Sequence, residues 1–160
     1  MFDPDVHDEG VLVAAVVDDL APGRHLRFTI SAFGREVTFD GGLELLTLLW
    51  QSPGLIDVLT SDHPAAFGVF FHDQGGLVLT LDFATSGDGV TVTGSNPSGE
   101  FIPPGTRPPA ERLDRHALAA EIRQVVRDVL AAGAAAGSTF VRHPVVTEWA
   151  RRVGAVPASA

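Results

Sequence analysis

Between Ala66 and Thr93 the chain offers three apolar or β-branched runs separated by two short glycine-containing breaks. That spacing leaves little room for anything but hairpins, because parallel neighbours need crossovers of a dozen residues or more. Phe67, Val69 and Phe71 alternate with other residues, and His72-Asp73-Gln74-Gly75-Gly76 then turns the chain. Leu77-Val78-Leu79-Thr80-Leu81-Asp82-Phe83 is almost continuously apolar, as a central strand is. Ser86-Gly87-Asp88-Gly89 is a second tight turn, and Val90-Thr91-Val92-Thr93 is β-branched throughout. The pattern predicts an antiparallel meander.

The flanking segments read less directly. Val11 to Val17 is a short valine-rich run that predicts a buried strand, followed by turn signals over Asp18 to Gly23. Leu26, Phe28 and Ile30 alternate with polar residues, and Phe33-Gly34-Arg35 turns into Glu36 to Phe39, which predicts a hairpin. Asp40 is a suitable N-cap for a helix carrying Leu43 to Trp50, which Pro53 and Gly54 would end. Ile56 to Leu59 then reads as a short turn or edge element. Gly94 to Pro109 holds five prolines and predicts a long surface loop. Asp114 caps a helix with Leu118, Ile122, Val125, Val126 and Val129 on one face, and Gly133 is placed to end it. Phe140 to Trp149 reads as a last strand. The expected architecture is a single α+β domain over residues 1–152, a mostly antiparallel sheet with two main helices packed on one face, and a tail over 153–160.

Length and composition fit one globular domain: 160 residues, 45% hydrophobic and 19% charged. No cysteine is present, which removes disulfides, thiolate metal sites and cysteine nucleophiles. The acidic start Met1-Phe2-Asp3-Pro4-Asp5 lacks the basic flank of a signal peptide, so a cytoplasmic protein is expected. The net charge of −9 is uneven: residues 1–102 hold 15 carboxylates against three arginines (net −12), and residues 103–160 hold five against eight (net +3). An acidic front argues against direct nucleic-acid binding, which needs a basic footprint, and suits a basic protein partner. Acidity for solubility alone explains the same number.

Motifs for chemistry are sparse. Ser86-Gly87-Asp88-Gly89 has neither a lysine nor a following helix, so it is a turn and not a phosphate cradle. Ser98 lacks the glycine that a nucleophile elbow needs two residues before it. No two of the six histidines fall at i, i+4 spacing. His72 and Asp73 would need further ligands to hold a metal, and solvated turn residues explain them as well. Trp50 and Trp149 read as core residues or rim anchors.

Three stretches resemble the first-numbered immunity-protein family of bacterial polymorphic toxin systems. The first is Leu43-Glu44-Leu45-Leu46-Thr47-Leu48-Leu49-Trp50-Gln51-Ser52-Pro53, an early helix leading into the sheet. The second is Leu79-Thr80-Leu81-Asp82-Phe83, followed by Gly87-Asp88-Gly89-Val90-Thr91-Val92-Thr93-Gly94-Ser95-Asn96-Pro97-Ser98-Gly99. The third is the closing amphipathic helix, a small-residue linker, and Val145-Val146-Thr147-Glu148-Trp149. The connection over 136–144 is longer than the family's. The likeness spans roughly residues 40 to 150. It implies a small cytoplasmic α+β protein that neutralises a cognate toxin, a nucleic-acid-acting deaminase among the possibilities, by occluding its active site, with no cofactor and no catalysis.

An inhibitor of that kind blocks a basic cleft with acidic side chains. Asp82, Asp88, Asn96 and Glu100, with Phe101 beside them, lie on the turn and loop around the central strands and are the candidate toxin-facing residues. Each is also an ordinary turn residue, since Asp and Asn bond locally to backbone. The alternatives are a small metal-dependent enzyme using His72, Asp73 and a distant histidine, and a chaperone or adaptor for a secreted effector.

Overall fold

The computed structural model describes residues 8–20, 27–40, 42–73, 76–95 and 107–156. Four helices and two antiparallel sheets make up these segments, and the fold is α+β as expected. β3 (Ala66–Asp73), β4 (Gly76–Ser86) and β5 (Gly89–Ser95) form the anticipated meander, and β6 (Ala110–Asp114) extends it to the order β3-β4-β5-β6. β1 (Arg27–Ala32) and β2 (Arg35–Asp40) form a separate hairpin. Its two-residue turn holds Phe33 and Gly34 at φ of 56° and 68°. The Phe33 N–H donates to the Glu111 carboxylate of β6 at 2.9 Å, which ties the hairpin tip to the larger sheet.

The Val11 to Val17 run is not a strand but the middle of α1 (Glu9–Leu20). Asp8 starts it: its carbonyl accepts from Leu12 N and its Oδ1 from Val11 N, both at 3.1 Å. Leu12, Val13, Ala15, Val16 and Val17 are all buried, because α1 packs against α2, α3 and α4 together. A helix buried on most sides loses the 3.6-residue stripe by which it would be recognised.

α2 (Gly42–Thr60) does not stop at Pro53 but runs through it and absorbs the expected Ile56 to Leu59 element. Proline has no N–H to give to the carbonyl four residues back. That carbonyl, Leu49 O, instead accepts from Ser52 Oγ at 2.7 Å and from the Trp149 indole N–H at 3.3 Å. Gly54 serves packing: a Cβ there would stand 2.6 Å from the Phe67 ring. Asp40, the expected cap, ends β2, and its side chain lies outside what is described.

α3 (Arg115–Ala135) begins as predicted, with Asp114 accepting from His116 N and Ala117 N at 2.8 Å each. Gly133 does not end it. It is buried inside the helix, where a Cβ would meet Val16 and Val141 at 2.9 Å. Gly137, at φ 83°, follows the true end. The expected last strand is a 3₁₀ turn (Phe140–Arg142) and a helix, α4 (Pro144–Val153), with His143 Nδ1 accepting from Val145 N and Pro144 in the first turn. Val146, Trp149, Ala150 and Val153 line its buried face at i, i+3, i+4 and i+7. Val153, the last residue of α4, and Ala155 beyond it are buried against the helical layer.

β6 escaped notice because only Leu113 in Ala110-Glu111-Arg112-Leu113-Asp114 is a strong apolar residue. Its first partner contact is Gly94 N to Pro109 O at 3.0 Å, a bond that needs nothing of proline but its carbonyl.

Candidate protein-binding surface

Strand period places Val69, Phe71, Leu79, Leu81, Phe83, Val90 and Val92 on one face of the large sheet, all buried toward the helices. The opposite face is assembled mostly from short side chains, with the partly exposed Phe70 ring lying against Gly68. One cross-strand row reads Gly68, Asp82, Thr93, Ala110, and the next reads Ala66, Ala84, Thr91, Arg112. Asp82 is exposed in the middle of this face. Gly68 keeps the face low beside it: a Cβ there would lie 3.0 Å from the Phe70 ring and 3.2 Å from Asp82 Oδ1.

Asp88 lies at the end of the same sheet, in the turn where Gly87 takes φ 58°. Its carbonyl accepts from Arg115 N at 3.2 Å, fastening the turn to the start of α3. Asp88, Gly89, Arg112, Leu113 and Asp114 line an open depression of about 500 Å³. Arg112 lies across Gly89 and donates to Ser86 O at 3.0 Å. Asp114 is engaged as the helix cap. The Ala117 N–H, opposed by some desolvation and assisted by the His116 N–H and the nearby His116 and Arg115 charges, holds its carboxyl below the usual range.

Asp82 and Asp88 share a sheet but not a site. The strand from Asp82 to Ser86 alone covers about 13 Å at ~3.3 Å per residue. Asn96, Glu100 and Phe101 lie outside the described residues, as do the side chains of His72 and Asp73. Among the described residues no three His, Asp or Glu side chains stand together in a way that could hold a metal ion. No helix among them is long and apolar enough to cross a membrane.

A second exposed surface was not singled out by sequence reasoning. Trp50 is 65% exposed on α2, with Leu43 at 48% and Val11 of α1 at 39%. Leu43, Trp50 and Asp57 recur every seven residues, so they form one stripe along α2. Gln51 joins this stripe to the sheet: its Oε1 accepts from Phe70 N at 3.3 Å and its Nε2 faces Phe70 O at 3.5 Å. The carboxamide thus stands in for a neighbouring strand and covers the β3 edge at that point. The seven-residue spacing was a usable signal, but leucines on every side of α2 hid it.

Charge separates the two surfaces. Residues 8–20 and 42–60, which span α1 and α2, contain Asp8, Glu9, Asp18, Asp19, Glu44 and Asp57 and not one Arg, Lys or His. Arg152 of α4 reaches in to pair with Glu9. The open sheet face mixes Asp82 with Arg112. Comparison with protein-family models, with curated proteins and with solved structures finds no match to this chain.

Proposed function

We propose that this chain is an immunity-type binding protein, acting in the cytoplasm, that neutralises a cognate bacterial toxin by covering its active site. The observation that carries this is the outer face of β3 to β6, where Gly, Ala and Thr surround an exposed Asp82 between Phe70 and Arg112 and which the helices leave uncovered. Short side chains cost little rotamer entropy when a partner settles on them. The −12 charge of residues 1–102 supplies attraction toward a basic active-site cleft, of the sort a toxin acting on nucleic acid must have, a deaminase among them. No cofactor and no catalytic step belong to the proposal.

Co-expression with the product of the adjacent gene tests it. Rescue of growth together with a stoichiometric complex is expected, and Asp82→Arg, which places a long cation on this face, should lose both. A complex without rescue would identify a chaperone or adaptor instead. Neither rescue nor complex would reject the proposal.

A further inference from the structure

The surface around Trp50 is unusual in having both an aromatic plane and a carboxylate beside it. A Cβ built on Gly10 would lie 3.5 Å from Trp50 Nε1 and 3.3 Å from Asp8 Oδ1, so the indole and the carboxylate flank the same point. Gly10 has no side chain to fill that point. Asp8 spends one oxygen on capping α1 through Val11 N, and a carboxylate has acceptor capacity to spare. Asp57 stands about 10.5 Å further along the α2 stripe, at ~1.5 Å per residue, and Leu43 the same distance the other way.

From this geometry we infer that Trp50 and Asp8 form the anchor site for an arginine on a basic, amphipathic segment of a partner protein. The inference rests on the chain being a binding protein and names a contact for it. A guanidinium stacks on an indole face while its N–H groups pair with a carboxylate, and an ammonium lacks the planar fork to do both. Asp57, exposed further along α2, suits a further cation on the same segment, and Leu43 and Val11 offer apolar contact beside Trp50. A second copy of this chain is a poor occupant, because it would bring its own exposed Asp8, Asp18 and Asp57 against these.

The test is a titration of the full chain with a blocked amphipathic arginine–leucine peptide, followed by tryptophan emission, beside the same peptide with glutamate or lysine in place of arginine. The arginine peptide should bind tightest, the lysine peptide more weakly and the glutamate peptide not at all. Trp50→Ala should weaken arginine-peptide binding about ten-fold. Asp8→Asn keeps the cap and removes the charge, and should weaken it about three-fold, with less dependence on salt. Trp50→Phe retains a ring and should keep part of the affinity. Equal binding to Trp50→Ala, equal binding of the glutamate peptide, or self-association that Trp50→Ala abolishes would overturn the inference. Toxin rescue that persists in Trp50→Ala would overturn this anchor while leaving the proposed function intact. Arginine-peptide binding through Trp50 without any rescue would do the reverse.

Discussion

The two tryptophans, Trp50 on α2 and Trp149 on α4, are used in opposite ways. Trp149 is 1% exposed and Trp50 is 65% exposed. The difference turns on adjacent positions of α2. Leu49 is fully buried, and its carbonyl, freed by Pro53, takes the Trp149 indole N–H; Trp50, one residue on and ~100° around the helix, points away. A buried indole needs an acceptor, and the proline supplies one deep in the helical layer. The Trp50 indole edge instead rests beside Gly10.

The comparison can be broken most sharply at Trp149. Trp149→Ala should cost about 3–5 kcal/mol in urea unfolding, with an unchanged m-value. A loss below about 1 kcal/mol would mean that the helical layer does not close around it. Gly54→Ala should cost about 1–3 kcal/mol by driving a methyl into the Phe67 ring on the side of α2 that faces the sheet. Gln51→Leu removes the amide that covers the β3 edge, so about 0.5–1 kcal/mol of stability and a rise in aggregation by light scattering are expected. Trp50→Ala should move stability by no more than about 0.5 kcal/mol, the mirror image of Trp149. The smallest effect is on acid stability. The Asp114 carboxyl is lowered, first by the Ala117 N–H, so its capping contribution is complete above the ordinary carboxylate pKa and fades as pH falls through the folded value. Asp114→Asn, which keeps a cap, should flatten that part of the pH profile, and thermal unfolding in acid would reveal it.

The legible parts of the fold were those in which one element met the solvent on one side. The meander, the hairpin and the Asp114-capped helix each show a clean period or a turn with its own chemistry. The parts that misled were buried on several sides or short. α1 is apolar nearly all round and imitates a strand. β6 shows its charged residues and hides its pairing. Pro53 and Gly54 looked like a helix stop because their effects on Leu49 and Phe67 exist only in three dimensions. His143-Pro144 ahead of Val146, Trp149 and Val153 did carry a cap and a helical period, and the β-branched Val145-Val146-Thr147 outweighed them. For the surface, an exposed Asp82 was within reach of sequence, since it interrupts an apolar strand. Trp50 was marked only by its seven-residue spacing from Leu43 and Asp57, a signal hidden by the leucines at 45, 46, 48 and 49 around it.

The proposed Trp50 anchor requires that a partner cover the exposed side of α2. Acrylamide quenching of tryptophan emission, compared between the intact chain and Trp50→Phe, isolates the Trp50 signal. In the complex with the protein encoded by the adjacent gene, that signal should become shielded from acrylamide while Trp149 stays as inaccessible as before. A complex in which Trp50 remains as quenchable as in the free chain would contradict the anchor.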